Sequence, residues 1–165
     1  SSDLLFLAPM EGVVDWVMRD TLTQIGGVDQ CVTEFLRVTD RLHPESVFYK
    51  NCPELKTGSR TRAGTPVFVQ LLGGQAEPLA LNAQRAVKLG ALGIDLNFGC
   101  PAKTVNRHDG GASLLKSCDR VHTIVDTVRK AVPAHVPVTA KIRLGFDDPS
   151  KCFEIAAAVE EANAS

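Results

Sequence analysis

The stretch Pro66-Val67-Phe68-Val69-Gln70-Leu71-Leu72-Gly73-Gly74, with Ile94-Asp95-Leu96-Asn97-Phe98-Gly99-Cys100-Pro101 downstream, decides the fold. A short apolar run closed by two glycines reads as a strand. From about Glu77 to Leu89, apolar Leu79, Ala83, Ala86 and Val87 recur at helical spacing, and Gly90 and Gly93 end that helix. Ile94–Asn97 is the next strand. Strand, helix and strand within roughly 30 residues make a βαβ unit, whose two strands run parallel.

The same alternation continues outward. Upstream, Leu4–Ala8 is a strand ended by Pro9, and a helix runs from about Asp15 to Gln24. Asp15 is its candidate N-cap and Gly26-Gly27 its stop. Cys31–Phe35 is the next strand. From about Arg41 to Thr65 the chain is irregular and polar, and so long a connection suggests function. Downstream come a loop from Phe98 to Gly111, a helix from about Asp119 to Ala131, a strand from Val136 to Arg143 and a last helix from about Ser150. Nothing repeats and nothing is of low complexity.

This pattern predicts an α/β fold with a parallel sheet, built from about five βα units. A (β/α)₈ barrel takes about 250 residues, so 165 residues make a partial TIM barrel. An open doubly wound sheet would want a glycine-rich loop after the first strand. Here that loop is Ala8-Pro9-Met10-Glu11-Gly12, which cannot cradle a phosphate that way.

Composition narrows the class. Hydrophobic residues make up 44% and charged residues 22%, which excludes disorder. No apolar run approaches the roughly 20 residues that cross a bilayer, and Ser1-Ser2-Asp3 does not begin like a signal peptide. A cytoplasmic protein with no membrane partner is the expectation. Five cysteines, none in a C-x-x-C pair, suggest reduced thiols. The net charge of −1 offers no global field for nucleic acid. Lys50, Lys56, Arg60 and Arg62 form one basic stretch, and Lys103, Arg107 and His108 a second. By charge alone both read as solvated loop faces.

Polar residues close nearly every strand: Glu34, Gln70, Asn97 and Lys141, with Arg143 just beyond. In a βα barrel those ends converge on one mouth, where active sites are built. Cys100 follows Asn97-Phe98-Gly99, with the glycine allowing a tight turn and Pro101 stiffening the far side. Cys31, Cys118 and Cys152 fit the role of small buried hydrophobes, and Cys52 reads as structural. A loop between Gly and Pro exposes Cys100. An ordinary thiol is mostly protonated at neutral pH and can donate a proton. A nucleophile would want a histidine nearby, and only His108 is near the mouth. Lys141 at the end of an apolar strand either snorkels outward or stands beside an anion such as a reduced flavin ring. Gln70 and Asn97 suit the alternating C=O and N–H edge of a flavin or a uracil.

At these residues the sequence resembles the tRNA-dihydrouridine synthases. The resemblance runs in order through Ala8-Pro9-Met10-Glu11-Gly12, Thr33-Glu34-Phe35, Val69-Gln70-Leu71, Asp95–Pro101 with Val105, Gly110-Gly111-Ala112, Leu114-Leu115 and Ala140–Gly145. Glu34–Val38 and Cys100–Asn106 look most like the bacterial C subfamily. The resemblance implies that residues 1–165 are the N-terminal portion of an FMN-binding TIM-barrel catalytic domain. FMN would touch Pro9, Met10, Glu11, Gln70 and Lys141, and NADPH would reduce it. A flipped-out D-loop uridine of tRNA would take hydride at C6 and a proton at C5 from Cys100. Asn97 and Arg143 would hold that uridine, Arg37 would help set how the tRNA lies, and Lys103 and Arg107 would meet phosphates.

The family continues with three further strands and a helical domain, and the FMN phosphate usually sits after strands 7–8. The expectation is a monomeric full-length protein, of which this portion alone binds FMN poorly and self-associates through open sheet edges. Two other readings follow from the residues. One is a flavin barrel acting on a small molecule, as a dihydroorotate dehydrogenase does, recognised by turnover of that molecule with no effect on tRNA. The other is a cofactor-free fragment, recognised by a colourless, oligomeric preparation.

Overall fold

A computed structural model describes residues 4–102 and 110–164. The strands are β1 (Phe6–Leu7), β2 (Gln30–Val32), β3 (Leu36–Arg37), β4 (Val67–Leu72), β5 (Ile94–Asn97) and β6 (Val138–Lys141). The α-helices are α1 (Trp16–Ile25), α2 (Glu45–Asn51), α3 (Ala76–Lys88), α4 (Cys118–Ala131) and α5 (Cys152–Glu161). All strand pairings are parallel, in the order β1-β2-β4-β5-β6, with β3 also on β4. Spatial order therefore follows chain order without reversal. A doubly wound sheet reverses at a switch point, whereas a barrel winds one way, so this is part of a TIM barrel.

Alternation along the strands sorts the two sheet faces. Val67, Val69, Leu71, Ile94, Leu96 and Val138 join one buried apolar cluster with Leu79, Ala83 and Ala86 of α3 and with Val121, Ile124, Val125 and Val128 of α4. The alternate positions Gln70, Asp95, Asn97, Thr139 and Lys141 belong to the other, concave face. Helices thus cover one side of the sheet, and the concave side carries the chemistry.

β2 and β3 are two pieces of one barrel strand. Val32 pairs with Phe68 and Leu36 with Leu71, so Thr33, Glu34 and Phe35 oppose only Val69 and Gln70. This is a bulge, and bulges re-aim side chains beside active sites. The Gln70 N–H donates to the Thr33 hydroxyl at 3.0 Å, restoring a bond the broken ladder would lose. The expected uninterrupted strand over Cys31–Phe35 is corrected accordingly.

The region from Arg41 to Thr65 is also more ordered than its composition suggests. It contains α2 and a 3₁₀ turn at Pro53–Thr57. Phe48 of α2 is fully buried beside Cys52 and Leu55. Pro44 opens the helix and Glu45 stands in its first turn, a start signal that the polar residues around it masked. Asp15 does cap α1, accepting from the Met18 N–H at 2.9 Å. Asp15→Ala is expected to lower stability by about 1 kcal/mol, read from the urea midpoint.

Candidate active site

Pro9, Met10, Glu11, Glu34, Phe35, Gln70, Asn97, Gly99, Cys100, Pro101, Ala102, Lys141 and Arg143 line one cleft of about 520 Å³. It lies at the C-terminal ends of the strands, on the concave side. Eight of the sequence-derived site residues converge here: Pro9, Met10, Glu11, Gln70, Asn97, Cys100, Lys141 and Arg143. Arg37 does not line the cleft; it is exposed in β3, and its carbonyl accepts from or faces His43 Nε2 at 2.8 Å. Lys103, Arg107 and His108 lie outside the described residues.

A directed chain of hydrogen bonds runs along the cleft floor. The N–H groups of Gly99 and Cys100 both donate to Asn97 Oδ1, at 3.0 and 2.9 Å. Asn97 Nδ2 donates to Gln70 Oε1 at 2.9 Å, and Gln70 Nε2 donates to Asp95 Oδ2 at 2.6 Å. The Thr139 hydroxyl donates to Asp95 Oδ1 at 2.6 Å. Gln70 is fully buried, and among the described residues the Gln70 and Asn97 amides each donate one N–H and keep the other uncommitted. Asp95 is 5% exposed. Burial pushes its pKa up, against the bonds from Gln70 and Thr139 and the charge of Lys141.

Asp95 was missed as a site residue. Its signal was a carboxylate inside an apolar strand, two residues before Asn97 and hence on the same face. Glu34, recognised only as a strand-end residue, is carried by the bulge to the loop after β1, where its Oε1 accepts from the Gly12 N–H at 2.5 Å.

The loop bearing Cys100 is held from three further sides. Phe98 N–H donates to the Lys141 carbonyl at 2.9 Å, Arg143 Nε to the Gly99 carbonyl at 2.6 Å, and Ala112 N–H to the Cys100 carbonyl at 2.9 Å. Gly99 is not in the left-handed region, so the turn is shaped by the Asn97 side chain and not by glycine's freedom. Cys100 is half-buried, as a group that exchanges protons with a ligand requires. Cys31 and Cys52 are buried, whereas Cys118 and Cys152 are half-buried and not the fully buried hydrophobes expected. Burial pushes the Cys31 thiol up to about 11 and raises that of Cys52 further.

Lys141 is exposed, and among the described residues its ammonium has no ion pair or hydrogen bond. It is a free positive charge at the polar edge of the cleft. The basic residues Arg60 and Arg62 are spent locally instead. Arg62 pairs with Asp20 at 2.5 Å, and Arg60 donates to the Gly64 carbonyl at 2.8 Å. Among the described residues there is no acid, histidine and cysteine cluster suited to a metal, and no helix long and apolar enough to cross a membrane.

Fold and cleft together define a barrel protein of the kind that builds its site from strand ends. The dihydrouridine synthase (Dus) family model matches residues 6–165, and the chain belongs to that family. It is 58% identical over 160 residues to a tRNA-dihydrouridine(16) synthase of Vibrio cholerae, covering 97% of this chain and 50% of that protein. Proteins of the same name from Pseudomonas putida and Neisseria meningitidis are 58% and 54% identical, covering 96% and 97% of this chain and 49% and 48% of theirs. The chain spans about half the length of the curated relatives it matches. A crystal structure from Burkholderia cenocepacia assigned to the phosphonomutases shares the fold, with TM-score 0.56 and 14% identity over 98% of this chain and 67% of that one.

Proposed function

We propose that this chain is the N-terminal portion of the catalytic barrel of a cytoplasmic tRNA-dihydrouridine synthase. Its substrate would be a D-loop uridine of tRNA, at position 16 as in the names of its relatives. The observation that carries this reading is the convergence of Gln70, Asn97, Cys100 and Lys141 from three strands and one loop on a single cleft.

The cleft's own features suit FMN. Its volume lies within the usual range for cofactor sites, roughly 300–1,000 Å³. Pro9 and Met10 offer an apolar wall, the buried Gln70 amide offers one N–H, and the unpaired Lys141 ammonium suits an electron-rich ring edge. FMN, when bound, would supply hydride chemistry at the uracil C6, with NADPH as the source of reducing equivalents.

Cys100 completes the reduction by passing its thiol proton to C5, and the resulting thiolate is reprotonated from solvent. Hydride at C6 and proton at C5 together saturate the C5–C6 double bond. Asn97 keeps one N–H for a uracil carbonyl, and the outer nitrogens of Arg143 remain available to the nucleotide once its Nε has fastened the loop. Arg37 would help set how the tRNA lies, and Lys103 and Arg107 would meet its phosphates. The remaining half of the full-length protein would continue the sheet beyond β1 and β6.

The test is FMN binding by the full-length protein and by its Lys141→Ala variant. Loss of one charge-assisted contact is expected to weaken binding about tenfold or more, measured by quenching of flavin fluorescence. A parent protein that neither binds FMN nor reduces tRNA with NADPH would sink the proposal.

A further inference from the structure

The bond chain on the cleft floor has a fixed direction. It starts from two backbone N–H groups, of Gly99 and Cys100, which can only donate. Asn97 must therefore turn its oxygen toward the loop and its Nδ2 toward Gln70. Gln70 must then accept on Oε1 and donate from Nε2. The last member must be an acceptor, and Asp95 is that acceptor. Register explains how they meet. Asp95 of β5 is in register with Gln70 of β4 on one side and Thr139 of β6 on the other, and Asn97 stands two residues above Asp95 on the same face. Both amides are nine-tenths or more buried, so a flipped amide would set donor against donor at a costly buried position.

We propose that Asp95 is a positioning residue: by accepting from Gln70 it sets the orientation of the Gln70 and Asn97 amides, and through Asn97 it holds the loop that presents Cys100. The inference rests on Cys100 being the proton donor. It also assigns Thr139 a task, since its hydroxyl holds the second Asp95 oxygen and keeps the first aimed at Gln70.

Two substitutions in the full-length protein separate direction from charge. Asp95→Asn keeps an oxygen for Gln70 Nε2 and can donate its own amide to the Thr139 hydroxyl, so the direction survives without the charge. Asp95→Leu keeps the branched shape, is somewhat bulkier than the carboxylate, and removes the acceptor. The Leu variant is expected to lose kcat for uridine reduction by at least about tenfold, as for a misplaced reacting group, with KM for tRNA within about threefold. Its Gly99 and Cys100 amides should exchange with solvent faster. The Asn variant should restore both to within about threefold of the parent.

An Asn variant as impaired as the Leu variant overturns the proposal, because charge and not direction would then matter. So does a folded Leu variant with parental kcat and exchange. If the Leu variant does not fold, Gln70→Glu breaks the chain without loss of volume. Two carboxylates then face each other, and activity relative to the parent should rise as pH falls, because a protonated Glu can again donate to Asp95 and accept from Asn97. The other charged groups around this position are Glu11, Glu34, Lys141 and Arg143. A flat relative profile overturns the proposal. A parent that leaves tRNA unreduced sinks the activity assigned above, and amide exchange at Gly99 and Cys100 still decides the role of Asp95.

Discussion

If the proposed function holds, replacing Cys100 by alanine in the full-length protein is expected to lower uridine reduction by about 10²–10⁴-fold, the usual contribution of a positioned general acid, while FMN binding stays at the parental level. The physical case is local. The bonds that hold the loop are made by the Gly99 and Cys100 N–H groups and by the Gly99 and Cys100 carbonyls, all of which alanine retains. The substitution therefore removes the thiol and little else. The other cysteines cannot replace it, since Cys31 and Cys52 are buried and Cys118 and Cys152 do not line the cleft. The measurement is a single turnover of unmodified tRNA with the reduced enzyme. A variant within about threefold of the parent would remove Cys100 from the proton transfer.

Arg19→Met is expected to cost about 3–5 kcal/mol of folding stability, the range for breaking a buried ion pair from one side. Arg19 is fully buried, and its Nε and one terminal nitrogen reach the two Glu54 oxygens at 2.9 and 3.1 Å. It also donates to the carbonyls of Val14 and Asn51 at 3.2 and 3.3 Å. One guanidinium thus ties α1 to the turn after α2 and to the loop below the cleft wall. Methionine fills much of the volume but leaves Glu54, 8% exposed, with an uncompensated charge. Arg19→Met with Glu54→Leu should recover most of the loss, because the orphaned carboxylate goes as well. Chemical denaturation of the single and double variants measures both. A single variant within about 1 kcal/mol of the parent would show that the pair is not integral.

The legible part of this protein lies where local sequence and tertiary structure ask for the same thing. β4 and β5 are buried on both sides and α3 and α4 on one, so their apolar spacing declares them almost to the residue. The segment around α2 was less legible because its buried anchors, Phe48, Cys52 and Leu55, are too few to make a period among polar neighbours. β1 and β6 are shorter than their apolar runs, since hydrogen bonding ends before apolar character does.

The sequence by itself determined the parallel α/β architecture, the winding and the set of polar residues at strand ends, because alternation and turn chemistry act within a few residues of chain. Only the tertiary structure decided how those residues work together. The bulge at Thr33–Phe35 is a mismatch between two strands, and neither carries it alone. Arg143 fastens the Gly99 carbonyl from 44 residues away. Asp95 gains its meaning from Gln70 and Thr139 on neighbouring strands. Hydrogen-bond direction is a property of groups in contact, and contact between strands is settled by the fold.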